Sequence, residues 1–335
     1  MAVTPKPISD TDFAAMMESL ALPPSLLESG VALAVSGGGD SMALSFLLET
    51  WCRVHGIPLT GLTVDHGLRP EAAREAEFVH QNFEKRGLTH CILKWEGIKP
   101  KSSLQEEARA ARYHLMQNYC ATHGIVALFT AHHGEDQIET VIFRLCKGSG
   151  LDGLVGMRPV QELGGGVNII RPLLSVTHQD LIATCEENES SWIEDPSNQN
   201  DHYARVRMRA ILGTLSEEGL TPARMAHVSR KLERAAKTLN QLTDDYYKNI
   251  VEGDKMSGLN VSRMALLALP DEIGLRLLTR MIGEVSTKKD YPARSEDIER
   301  LYARLKNNQN FKGATLGGCL FKLKKDILMV EKEER

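Results

Sequence analysis

Residues 31–42, Val31-Ala32-Leu33-Ala34-Val35-Ser36-Gly37-Gly38-Gly39-Asp40-Ser41-Met42, run from five apolar residues through a glycine turn into helically spaced apolar positions that continue to Val54. An unbroken apolar run of this length is the pattern of a strand buried on both faces. Backbone N–H groups in such a turn, added to the unpaired donors of a helix start, form a pocket for phosphate oxygens. The Walker lysine is missing, so this is not the loop that cradles β- and γ-phosphates for terminal transfer. Asp40 stands in the loop instead. A carboxylate beside phosphates makes sense there as a Mg²⁺ ligand or as a helix cap.

Outward from this stretch, β-rich runs at 31–35, 59–64, 89–95 and 125–130 alternate with helical patterns at 42–54, 71–86, 104–120 and 135–146. Strict alternation predicts βαβ crossovers and an α/β fold, a doubly wound parallel sheet covered on both faces. The glycine-rich segment 148–166 reads as a loop at the sheet's functional edge, and a helix is predicted over 177–189. From Arg205 the strand signal fades. Leu232, Ala235, Leu239 and Leu242 form an apolar helical stripe, with Lys231, Arg234 and Lys237 on another face. Runs at 320–324 and 327–331 around Lys325-Asp326 predict a hairpin. These patterns divide the chain into residues 1–212 and a second, mostly helical C-terminal domain, 213–335.

A chain of 335 residues fits two domains, each able to fold without staples. The six cysteines are scattered, without a Cys-x-x-Cys pair, as in a reduced, intracellular protein. No basic segment with a following apolar stretch opens the chain, and no apolar run approaches the roughly 20 residues that span a bilayer. These features predict a cytoplasmic protein with no membrane partner. The net charge of -4 conceals a split: 15 Lys and Arg face 25 Asp and Glu in residues 1–200, while 25 face 19 in residues 201–335. A basic second part suggests a polyanion partner, although a solvated basic face has the same count.

Polar residues recur where the predicted strands end, the edge at which open α/β sheets bind ligands. Val64-Asp65-His66-Gly67-Leu68-Arg69 follows the second strand. In the third helix Gln105, Arg109 and Arg112 share a face, suited either to surface carboxylates or to phosphate oxygens. The fourth strand runs into Ala131-His132-His133-Gly134-Glu135-Asp136-Gln137-Ile138-Glu139-Thr140, with Asp136, Glu139, Thr140 and Phe143 on one helix face. His132, His133 and Asp136 suggest zinc at first sight, but adjacent histidines diverge and no further Cys or His completes a set. Acidic groups beside a nucleotide pocket better suit an ammonium group. Asp195-Pro196-Ser197-Asn198 reads as a turn, and Arg205, Arg207 and Arg209, at every second position, fit neither a buried strand nor an amphipathic helix.

Taken in order, SGGGDS, VDHGLR, QEEARAARY, AHHGEDQIET, KGSGLDGLVGM, RPLL, DPSN and YARVRMR resemble the tRNA(Ile)-lysidine synthetase family of ATP-pyrophosphatases, marked by Ser-Gly-Gly-x-Asp-Ser. The similarity covers roughly residues 31–209 and continues more loosely to LGGC at 316–319. The family often has Asp where Glu135 stands and Asn where Val206 stands.

The resemblance implies an enzyme using ATP and Mg²⁺, with free L-lysine and an isoleucine tRNA of CAU anticodon as partners. Lysine would be joined to C2 of the wobble cytidine through an adenylated base, releasing pyrophosphate and then AMP. On this reading Ser36, Gly37, Gly38, Gly39 and Ser41 hold phosphates, Asp40 positions Mg²⁺, and Arg112 and Arg205 offset charge on the α-phosphate. Asp136 and Glu139 receive the lysine ammonium, with His132, His133 and Thr140 in support, while Arg207, Arg209, Lys231, Arg234 and Lys237 face the tRNA. Whether the chain works as a monomer or a homodimer stays open. A tRNA thiolase would need a persulfide or iron–sulfur cluster, a small-molecule amidating ligase has no use for a basic helical domain, and a non-enzymatic ATP-dependent RNA sensor has no use for so many convergent polar groups.

Overall fold

The computed structural model describes residues 4–69, 71–97, 99, 104–194, 204–286, 293–307 and 311–333, the side chains of 105 and 204–210 excepted. It separates into two compact units, residues 1–146 with 155–229, and residues 147–154 with 230–335. The sequence patterns change character after residue 212, before this structural division.

In the first unit a six-stranded sheet has the order β3-β2-β1-β4-β6-β5, with β1 Val31–Ala34, β2 Leu59–Asp65, β3 Thr89–Lys94, β4 Ala127–Phe129, β5 Val160–Gly164 and β6 Val167–Ile170. All pairings are parallel except β5–β6. Strand alternation sends Val31, Leu33, Ala127 and Phe129 to one face and Ala32 and Leu128 to the other. The first face packs on α1 Asp10–Ser19, α2 Gly39–His55, α3 Ala72–Lys85 and α7 His178–Glu187. The second packs on α4 Leu104–Thr122 through Met116 and Cys120. This is the doubly wound parallel sheet that the alternation predicts, with the order reversing at β1.

Segment 148–166 is not simply a loop: it holds α6 Leu151–Leu154, which belongs to the second unit, and β5. β5 turns into β6 through Gly165 and Gly166, both at positive φ (59° and 79°), which suits a two-residue hairpin. That glycine pair between short runs is a hairpin signal hidden by the wider glycine richness. The unit also contains α5 Gly134–Cys146, α8 Ala204–Glu217 and the first turns of α9 Pro222–Ile250, while Ile138, Val141 and Met225 form a small separate core.

The second unit combines the rest of α9 with α10 Arg263–Leu267, α11 Asp271–Val285 and α12 Ser295–Asn307. It also has an antiparallel sheet ordered β7-β8-β11-β10-β9, from β7 Val251–Asp254, β8 Gly258–Ser262, β9 Ala314–Leu316, β10 Cys319–Lys324 and β11 Ile327–Lys332. Its core sets Leu259, Val261, Phe321, Leu328 and Val330 against Leu277, Leu278, Met281 and Leu301. The predicted hairpin is β10–β11, turning at Lys325 with φ 57°. The α9 stripe differs from the sequence reading. Leu239 packs on the core and Ala236 and Thr243 are buried, but Ala235 and Leu242 are exposed. Thr243 is concealed from a hydrophobicity count because its hydroxyl donates to Leu239 O at 2.7 Å within the helix.

Candidate active site

The turn after β1 closes on itself through two serines. Ser36 N donates to Ser41 Oγ at 3.2 Å, and Ser41 Oγ donates to Gly38 O at 2.9 Å. Gly37 lies at φ 86°, and a Cβ there would come within 2.6 Å of Ile193 Cδ1. At Gly39 a Cβ would meet Ile182 Cδ1 at 2.4 Å, so side chains are excluded where the turn presses against α7. The consequence is a bare backbone turn leading into the N-terminus of α2, where unpaired N–H groups and the helix dipole favour anions.

Asp40, in the first turn of α2, faces two imidazoles. Its Oδ1 lies 2.7 Å from His178 Nδ1 and its Oδ2 lies 3.5 Å from His133 Nε2. His133 is 7% exposed and also meets Glu135 Oε2 at 2.9 Å through Nδ1 and Asp136 Oδ2 at 3.6 Å through Nε2. Burial opposes its charge, yet the bond to Glu135 and the fields of Asp136 and Asp40 prevail and raise its pKa to about 9. His178 is raised too, by its bond to Asp40 first. His178 N donates to Glu135 Oε2 at 3.1 Å, so this glutamate joins the two histidines. Near neutral pH His133 is therefore an imidazolium that ties the phosphate-loop carboxylate to the first carboxylates of α5.

Asp40, His133 and His178 could offer three ligand atoms within 4.8 Å of one another, a different set from the His132, His133 and Asp136 considered from sequence. His132 bonds to Thr130 Oγ1 at 2.9 Å while His133 enters the carboxylate cluster, which confirms that the neighbouring rings diverge. For Mg²⁺ the fitting donor is the Asp40 carboxylate in the first turn of α2, because this hard cation takes one or two carboxylates together with phosphates.

Glu139, on α5, is buried, and Thr140 is half-buried. Between the two carboxylates lies a residue the motif reading passed over. Gln137 is 2% exposed, donates through Nε2 to Val155 O, Met157 O and Ser229 Oγ, and accepts from Met157 N at 2.7 Å. It fixes α5 against 155–157, and Gly156 is required there because a Cβ would sit 2.6 Å from that Nε2. The sequence signal was available: a glutamine on the same helical face as Val141 and Arg144 near a glycine-rich segment.

Arg112 lies on another part of the edge. Its Nε and Nη2 each stand 3.4 Å from His66 Nε2, at the carboxyl end of β2. Desolvation, then Arg112 and Lys99, lower the His66 pKa to about 4, so its neutral ring can accept from the guanidinium. Arg205, Arg207 and Arg209 lie on helical backbone in α8, but their side chains, like Asp195-Pro196-Ser197-Asn198, are outside the described residues. Lys231, Arg234 and Lys237 are exposed on α9, and among the described residues they form no ion pair. The six cysteines stay dispersed, and burial lifts the thiols of Cys52 and Cys185 to about 12.

Sequence comparison matches residues 9–215 to the PP-loop domain family, a stretch holding the turn at 36–41 and all of α5. The tRNA(Ile)-lysidine synthase of Methylobacterium nodulans is 41% identical over 310 residues, covering 91% of this chain and 90% of that protein. The chain belongs to the tRNA(Ile)-lysidine synthase family. A more distant member, from Wolbachia pipientis wMel, is 33% identical over 91% of this chain and 71% of its own length. Membership makes the chain a ligase built on the ATP-using PP-loop fold. Among solved structures, the U34-tRNA thiolase NcsA from Methanococcus maripaludis superposes with a TM-score of 0.51 at 16% identity over 66% of this chain and 80% of that one, a likeness of fold. Among the described residues of this family member, no helix is long and apolar enough to cross a membrane.

Proposed function

We propose that the chain joins L-lysine to C2 of the wobble cytidine of tRNA(Ile) with a CAU anticodon, at the expense of ATP. The observation that carries this reading is the continuity of the charged cluster: Asp40, beside the phosphate turn, connects through His133 to Asp136, the candidate for the amine. Family membership supplies the reaction class. In the first step the C2 carbonyl oxygen of the base attacks the α-phosphate and pyrophosphate leaves. The turn at 36–41 holds the phosphates, Asp40 would hold Mg²⁺, and that cation would neutralise phosphate charge. Arg112 and Arg205 offset charge at the α-phosphate.

In the second step the ε-amine attacks C2 and AMP departs. An ammonium is not a nucleophile, so a carboxylate of the Asp136 and Glu139 pair, or a water bonded to it, takes the proton. His133 sits 3.6 Å from Asp136 and, as an imidazolium, holds that carboxylate in place by charge. His132 and Thr140 support the same end of α5. The target base must be splayed out of the anticodon loop to react. The basic region beyond residue 212 holds the tRNA, with Arg207 and Arg209 just ahead of it and Lys231, Arg234 and Lys237 within it facing phosphates.

Sulfur transfer is disfavoured by the dispersal of the cysteines and the raised pKa of the buried thiols. Incubation with ATP and lysine, with and without tRNA(Ile), tests the proposal. AMP release that needs both lysine and tRNA is expected. Release without tRNA would instead mark a small-molecule ligase.

A further inference from the structure

The carboxyl end of β6 carries a buried cation that the proposed chemistry does not use. Arg171 is 5% exposed, its Nη1 donates to Arg158 O at 2.8 Å and Gln161 Oε1 at 3.3 Å, and its Nε is buried without a hydrogen-bond partner. Among the described residues it has no carboxylate partner. Its neighbours are instead the Tyr113 hydroxyl and two more guanidiniums, Arg109 and Arg144. Arg109 Nη2 approaches the same hydroxyl at 3.4 Å, and Arg144 Nη1 donates to Gly156 O at 3.0 Å. Arg109 is exposed and Arg144 half-buried, so the cluster opens outward from a buried base. Desolvation and the adjacent guanidiniums hold the Arg171 pKa below its usual range. Arg171 is thus a buried charge beside two further guanidiniums, and no described carboxylate at its own side chain offsets its desolvation cost.

We infer that Arg109 and Arg144, gathered with Tyr113 around Arg171, form with it a second phosphate seat, which takes a backbone phosphodiester of the RNA next to the reacting base. Position separates it from the nucleotide turn. β6 lies two strands from β1, roughly 10 Å at ordinary strand spacing, and on the same carboxyl edge. A triphosphate held at 36–41 is served by that turn, whereas a splayed-out nucleotide brings flanking phosphates along the edge. Exposed Arg109 makes the bidentate contact, Arg144 closes one side, and Arg171 supplies charge from behind while bracing 158–161. The inference rests on the tRNA reading of the active site.

The test uses the full chain with Arg109→Gln, on the exposed side, and Arg171→Gln, on the buried side. Binding of a labelled anticodon stem-loop is followed by fluorescence anisotropy at several salt concentrations, and ATP binding by calorimetry. Arg109→Gln is expected to weaken stem-loop binding roughly fivefold to tenfold. It should flatten the log–log salt slope by about 0.7 and leave ATP affinity unchanged. Weaker ATP binding with unchanged RNA binding would assign the seat to the nucleotide and overturn the inference. Unchanged binding of both by folded Arg109→Gln would reduce the cluster to a structural one and overturn it as well, whatever the fate of Arg171→Gln. Wild-type protein that neither binds nor modifies the stem-loop would sink the functional reading itself, a result distinct from wild-type activity beside indifferent variants.

Discussion

Raising the pH from about 6 to about 10 is expected to remove the stabilisation contributed by charged His133. In the folded chain this imidazole titrates at about 9, against an ordinary value of 6.5. A folded pKa above the unfolded one gives stability that is fully present below 6.5 and lost as pH climbs through 9. Each tenfold gain in proton affinity on folding is worth ~1.36 kcal/mol, so the whole window amounts to about 3 kcal/mol. The side chain is only 9% exposed, so solvent screens little of this, although the neighbouring carboxylates share it. The assay compares urea midpoints of wild type and His133→Asn at several pH values by tryptophan fluorescence. All three tryptophans, Trp51, Trp95 and Trp192, lie in the first unit, so the second does not contaminate the signal. The two proteins should differ most below pH 6.5 and converge above about 9. A difference that stays constant across that range would refute the assignment of His133 as a buried imidazolium.

Asp40→Asn is expected to leave the fold intact and abolish pyrophosphate release, because an amide is a poor Mg²⁺ ligand and cannot neutralise His133 and His178; the check is single-turnover release of pyrophosphate. Asp136→Asn and Glu139→Gln should impair lysine use more than adenylation, measured as accumulation of adenylated tRNA against lysidine yield, and equal loss of both steps would return these carboxylates to the nucleotide. Gln137→Ala strands Met157 N and two carbonyls, at about 1–3 kcal/mol for an unsatisfied buried group, and should lower the urea midpoint of the first unit. Reversing the charges of Lys231, Arg234 and Lys237 together should weaken tRNA binding in a filter assay without altering base choice, while wild-type affinity and salt slope would make that face mere surface.

The parallel sheet was legible because burial on both faces demands unbroken apolar runs such as 31–35, and because helices of period 3.6 separate them. The antiparallel sheet of the second unit was harder to see. β7 and β9 are three or four residues long and partly exposed, so they carry little hydrophobic pattern. In the site, Asp40, Asp136 and His133 announce themselves at strand ends, where chemistry collects in such folds. His178 does not. It lies 138 residues from Asp40 in sequence, and only the packing of α7 on α2 makes them neighbours. Arg171 was hidden for a related reason: an arginine before a proline reads as a strand end, and its burial depends on Tyr113 and Gln161 from distant elements.

Mass spectrometry of nucleosides from tRNA(Ile) with a CAU anticodon, incubated with the protein, ATP and L-lysine, tests the proposed reaction most directly. A cytidine carrying an added lysyl mass is expected at the wobble position, and only when all three substrates are present. Unmodified cytidine in the presence of folded, ATP-binding protein would contradict it.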